Sequence, residues 1–264
     1  MGYEVDFVKI TDDGIVDIEH LKSLLRNDTI LVSISMVDSE IGLKQPIQEI
    51  ASILEEYPKC YFHVDCTQAY GKIPVDLTGV DLASMSAHKI YGMKGIGLLI
   101  KKEHIVIEPL IHGGKSTTAF RSGTPATPLI VSLAKAMRLV YEDFDKKYEH
   151  VLNLNKYLIS KLEELDIFIN SNDKCIPHIV NISLKNIKSE TMLHALEKEK
   201  IYISTQTACS MGNYSLAVYS VTNDKDKASR SIRISLSYLT TYEELDKFIE
   251  VFKKCLIALN ILDR

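Results

Sequence analysis

The stretch Asp81–Gly97, DLASMSAHKIYGMKGIG, decides the fold. It opens with an apolar run, Leu82–Ala87, that stops at His88 and Lys89 and is followed by Gly92, Gly95 and Gly97. A short apolar run ending in polar residues predicts a buried strand that delivers side chains at its functional end. Glycines just beyond it permit tight turns and close backbone approach. A lysine withdrawn from water at such a point loses part of its basicity and becomes a usable amine nucleophile, able to form a Schiff base. The same pattern reads equally as a solvated lysine beside a glycine loop, so the surroundings must decide.

Upstream, Tyr61–Gly71 (YFHVDCTQAYG) is a second strand carrying polar groups out of its end. Asp65 and Gln68 are three residues apart and face one site if the chain turns helically there. A pyridoxal phosphate site needs a carboxylate for the pyridine nitrogen, a lysine for the aldehyde, and donors for the ring oxygen and phosphate. Asp65, Lys89, Gln68 and the pair Ser86/His88 supply that set from two neighbouring strand ends.

Around these motifs strands and helices alternate. Tyr3–Ile10 reads as a strand, Asp12-Asp13-Gly14 as a turn, and Asp17 as the cap of a helix reaching Arg26. Thr29–Met36 reads as a buried strand, and Pro46 starts a helix to about Tyr57. Cys60–Asp65, Leu82–Ala87 and Ile96–Lys101 are further strands. This order predicts βαβ units and a mainly parallel sheet, with ligands beyond the C-terminal ends of its strands. Pro125 and Pro128 mark a break. Beyond it come helical material over Leu129–Leu165, strands at Ile167–Ile169, His178–Leu184 and Ser231–Ser237, and helices at Ser189–Lys200 and Tyr242–Leu262. The expected division is a large α/β domain over 1–128 and a smaller α+β domain over 129–264.

With 46% hydrophobic and 25% charged residues, the 264-residue chain has an ordinary globular composition. A net charge of −4 argues against direct nucleic-acid binding as its main role. No apolar run approaches a membrane span, and the start MGYEVDFVK is unlike a signal peptide, so a cytoplasmic protein is expected. Five scattered cysteines without a C-x-x-C pair argue against a disulfide framework or a zinc site, and no metal is expected. Of the five, Cys209 sits in a small polar segment, STQTACSMGNYS, rather than an apolar one, which favours an exposed loop where a thiolate can act.

HVDCTQAYGKIPVDL followed by SAHKIYGMKGIG resembles the cysteine desulfurases of the NifS/IscS type, within the class V aminotransferase family. LVSISMVDSEIGLKQPI, HGG…RSGT over His112–Thr124, and TACS…SIRISL over Thr207–Leu236 carry the same resemblance in the same order. It implies a type I pyridoxal-phosphate transferase fold of the aspartate aminotransferase kind. It further implies Lys89 as the Schiff-base lysine, Asp65 on the pyridine nitrogen, Gln68 at the ring oxygen, Ser86 and His88 at the phosphate, and Cys209 as sulfur acceptor. Arg233 is implied as the clamp on the substrate carboxylate, and Thr124 as a phosphate contact reaching the neighbouring subunit of a homodimer. His63 and His112 receive no catalytic role.

The chain departs from the family pattern at three points. Met1 aligns well inside the usual desulfurase chain, so the large domain is expected to lack an N-terminal portion that normally adds a phosphate-binding turn and a histidine stacked on the cofactor, with weak cofactor binding as the consequence. Ser39 stands where the family has an asparagine at the ring oxygen. Gly212–Ala228 differs from the family's usual sequence. The expected function is conversion of L-cysteine to L-alanine, with a persulfide on Cys209 passed to a scaffold or tRNA-thiolation protein. The alternatives are a catalytically silent relative acting by dimerisation or binding, and another class V enzyme, an aminotransferase or selenocysteine lyase.

Overall fold

Asp17 accepts a hydrogen bond from the His20 amide and so caps α1 (Ile18–Leu24). In the computed structural model, which describes residues 2–114, 118–205 and 214–262, the chain forms two compact units. One comprises residues 26–35 and 47–144; the other comprises 1–25, 36–46 and 145–264. The last crossing between them falls at Phe144 and Asp145.

The first unit is built on the sheet β1 (Leu31–Ser35), β2 (Tyr61–Asp65), β3 (Leu82–Ser86) and β4 (Gly97–Lys101), in that spatial order. β1, β2 and β3 run parallel, and β4 returns antiparallel to β3. Alternation sets the faces: Phe62 and Val64 of β2 and Ala83 and Met85 of β3 are buried, while His63, Asp65, Ser84 and Ser86 are half-buried. The apolar stripe Ile47, Ile50, Ala51 and Leu54 of α2 (Ile47–Leu54) is buried in the same unit. α3 (Thr127–Tyr141), with Pro128 in its first turn, packs Leu133 and Ala136 against Ala87 and Ile90 just past β3.

α4 (Phe144–Leu162) leads into the second unit. Its Val151, Leu154, Leu158 and Leu162 recur at helical spacing and share one core with Val180, Ile182 and Leu184 of β6 (Ile179–Leu184) and with Phe248 and Phe252 of the terminal helix. β5 (Ile167–Ile169) and β7 (Ser231–Ser235) flank β6 in an antiparallel sheet. α5 (Ser189–Lys198) follows β6, α6 (Leu216–Thr222) and α7 (Lys225–Ser229) precede β7, and α8 (Tyr242–Leu262) closes the order. Among the described residues no helix is long and apolar enough to cross a membrane, and no group of His, Cys, Asp and Glu is gathered to hold a metal.

Several local expectations need correction. Tyr3–Ile10 is not a strand: among the described residues its pairing is one isolated bridge from Ile10 to Val16, and Phe7 is 85% exposed. β1 is not buried but lies at the sheet edge, with Leu31 51% exposed. The helical stretch 129–165 is broken at Glu142–Asp143, where Asp143 takes a positive φ of 52°. α6 and α7, of seven and five residues, are too short to show a helical period in the sequence.

Gly71 ties the turn after β2 to α3. It holds φ +73°, and an added Cβ would meet Val140 Cγ2 at 2.7 Å and Ile90 Cγ2 at 3.1 Å. Gly71→Ala is expected to cost about 2–4 kcal/mol, from left-handed strain plus overpacking. Urea unfolding checks this, and a loss under about 1 kcal/mol would contradict the packing described.

Candidate active site

The register of β2 with β3 places Asp65 level with Ser84. His63 proves that these residues share a face: its Nε2 lies 3.1 Å from Ser84 Oγ and its Nδ1 2.8 Å from Ser33 Oγ, a polar row across β1, β2 and β3. Two residues further along each strand, on that same face, stand Asp65 and Ser86. Past Asp65 the chain turns at once. Asp65 Oδ1 accepts from the Thr67 amide at 2.8 Å, and the Ala69 and Tyr70 amides both donate to the Cys66 carbonyl. The turn buries Gln68 to 8% exposure, with its Oε1 accepting from Lys72 Nζ. Past Ser86 the chain makes one 3-10 turn, Ala87–Ile90, ended by Tyr91 in the left-handed region. Ala87 and Ile90 face the core, so His88 is exposed and Lys89 half-buried.

In the other unit, Arg233 occupies the central position of β7, opposite Asn181 of β6, and its backbone exchanges both hydrogen bonds with Ser204. Its Nη1 donates to the Ser39 carbonyl at 2.7 Å and its Nη2 to Ser204 Oγ at 3.1 Å. Nε is buried and has no partner among the described residues. Burial lowers the guanidinium pKa, and the charges of Glu40 and then Asp38 oppose that shift. Ser39 sits in a turn pinned by Asp38, whose Oδ1 accepts from the Glu40 amide at 2.9 Å and the Ile41 amide at 2.6 Å.

Asp65, Gln68, Ser86, His88 and Lys89 are therefore gathered at the C-terminal ends of two parallel strands. Thr124 lies in the same unit but outside the sheet, exposed, with its carbonyl accepting from Arg121. Ser39 and Arg233 are joined in the other unit. Cys209 lies outside the described residues. Burial raises the pKa of the four described thiols, Cys60, Cys66, Cys175 and Cys255, with Cys66 pushed up to about 11. Sequence reading passed over Glu40, which is buried, and Ser204, which flanks Arg233. An acidic residue directly before the run Ile41–Leu43 was the available signal for the first; nothing in the sequence marked the second.

The donor set matches a pyridine ring bearing a phosphate. It offers an acceptor carboxylate whose second oxygen takes no bond among the described residues, an amide, a hydroxyl beside an imidazole, and an amine. The class V aminotransferase description matches residues 1–248. A cysteine desulfurase IscS from Dictyoglomus turgidum is 36% identical across 99% of this chain and 68% of its own length. The mitochondrial cysteine desulfurase of Saccharomyces cerevisiae is 37% identical across 94% of this chain and 51% of its own. A solved NifS-like protein superimposes with a TM-score of 0.89 at 33% identity, over 98% of this chain and 69% of that one. A NifS-like protein from Rickettsia africae gives 0.85 at 31% identity, over 94% and 68%. The chain thus spans about two thirds of its bacterial relatives and half of the yeast one. It belongs to the class V aminotransferase family, with the type I transferase fold, and is similar to the cysteine desulfurases of the NifS and IscS type.

Proposed function

We propose that the chain acts in L-cysteine desulfuration with pyridoxal phosphate. The single observation carrying this reading is the parallel register that sets Asp65 and Ser86 on one face, with Lys89 one turn beyond. The names of its relatives support the choice of cysteine as substrate. When bound, the cofactor supplies an electron sink for charge developing at the substrate Cα. Asp65 keeps the pyridine nitrogen protonated. The Gln68 amide nitrogen donates to the ring oxygen, as does the Ser39 hydroxyl. Ser86 and His88 hold the phosphate, with Thr124 of a second copy as a further donor in a homodimer. Lys89 carries the cofactor at rest, then removes and returns the Cα proton.

Arg233 grips the substrate carboxylate. Its buried Nε, which has no partner among the described residues, supports this, because Nε–H and an Nη2–H form the parallel edge that accepts a carboxylate in two bonds. Cys209 attacks the substrate sulfur as thiolate: an S–S bond forms as the substrate Cβ–S bond breaks, the bonding pair stays with the carbon skeleton, the substrate thiol's proton is taken up at Cβ, and the proton that Lys89 returns to Cα completes alanine, leaving a persulfide anion on Cys209. The raised pKa of every described cysteine supports Cys209 as the thiol that acts. The persulfide then passes to an acceptor protein, a scaffold or a tRNA-thiolation enzyme.

Cofactor-dependent release of alanine from L-cysteine by the purified chain tests the reading, and its absence under saturating cofactor would sink it. Lys89→Ala is expected to abolish both the visible absorbance of bound cofactor and alanine release, while a variant keeping the absorbance would remove Lys89 from its role. The thiol assignment predicts a pH pattern. Near pH 7.5 iodoacetamide labels Cys209 first, whereas Cys66, protonated until pH nears its raised pKa, stays at least roughly a hundredfold slower. Peptide mass mapping reads this, and comparable labelling of Cys66 at neutral pH would contradict it.

A further inference from the structure

Glu40 is the only carboxylate among the buried side chains described, at 7% exposure. A buried carboxylate is costly unless hydrogen bonds and opposite charge offset its lost hydration. Here Ser215 donates its hydroxyl to Glu40 Oε2, and the same Ser215 Oγ accepts from the Val218 amide at 3.0 Å as the cap of α6. The Glu40 carbonyl accepts from Asn181 Nδ2 at 3.0 Å, and the Glu40 amide donates to Asp38. All three polar groups of this residue are thereby fixed. Between them and Asp38 stands the Ser39 carbonyl, the acceptor for Arg233 Nη1. The guanidinium is thus aimed by two acceptors, Ser204 Oγ and a carbonyl whose position Glu40 sets.

We propose that Glu40 is a positioning residue for Arg233: its charge backs the guanidinium, and its anchored turn directs the Nε/Nη2 edge toward a substrate carboxylate. The assignment rests on the desulfurase reading for the identity of that carboxylate, but not for the coupling between Glu40 and Arg233. Glu40→Gln keeps the shape and the acceptor for Ser215 and removes the charge. In that variant the Arg233 guanidinium is less strongly held in its charged form and in its orientation.

The test has two arms, both on the full chain. Without cofactor, phenylglyoxal, which attacks neutral guanidines, is followed by peptide mass mapping. In Glu40→Gln the labelling of Arg233 is expected to be at least about three-fold faster than in the parent chain, with surface Arg138 unchanged. Equal rates at Arg233 overturn the proposal. With cofactor, L-alanine and ethylamine, which lacks the carboxylate, are titrated by the change in cofactor absorbance. Glu40→Gln is expected to weaken L-alanine about ten-fold and leave ethylamine unchanged, raising KM for L-cysteine with kcat nearly constant. Equal loss for both ligands marks a general structural defect and overturns the positioning role. Faster labelling of Arg233 in a chain that releases no alanine leaves the coupling standing and removes the desulfurase reading; unchanged labelling in an active chain does the reverse. Where Glu40→Gln fails to fold, Ser215→Ala, which keeps the charge but releases the anchored carboxylate, is read by the L-alanine and ethylamine titrations, and L-alanine binding equal to that of the parent chain overturns the proposal.

Discussion

The parallel hydrogen bonding of β2 with β3 sets the position of the candidate site. Side chains alternate strictly along a strand, so a slip of one residue would turn Asp65 to the opposite face from Ser86. The burial of Phe62 and Val64 on the other face is what forbids that slip of β2, since it would expose both of these apolar side chains at once. Each is worth on the order of 1–3 kcal/mol buried, more than any single polar contact at the strand ends. The chemistry at one face is thus held by packing at the other.

Arg233 shows the opposite balance, in which polar groups hold a charge that packing opposes. Its net pKa shift is downward, so burial outweighs the fields of Glu40 and Asp38. An arginine starts so far above neutrality that it stays charged. What the surrounding acceptors add is direction: the Ser39 carbonyl and the Ser204 hydroxyl take one hydrogen each from Nη1 and Nη2 and leave Nε buried with no partner among the described residues.

Much of this was legible in the residues. Strand ends are punctuated by polar groups, so Asp65 and the Ser86–Lys89 run announced themselves, and the strands of both sheets fall close to where alternation and apolar runs placed them. Edge position was not legible, because β1 is as apolar in sequence as a central strand and only its neighbours in space decide its exposure. Tyr3–Ile10 has the alternation of a strand but no ladder, since pattern fixes faces and not partners. The role of Ser204 was invisible for a related reason: it depends on a bridge to Arg233 across 29 residues of chain.

The central claim is that sulfur leaves cysteine for Cys209 on a chain whose Asp65, Ser86 and Lys89 hold the cofactor. Its most direct test is the mass of each cysteine peptide after the chain meets pyridoxal phosphate and L-cysteine without reductant. The account predicts one added sulfur on the peptide bearing Cys209, matched by an equal amount of alanine. Added sulfur on the peptides of Cys60 or Cys66, or alanine formed with no sulfur retained on Cys209, would contradict it.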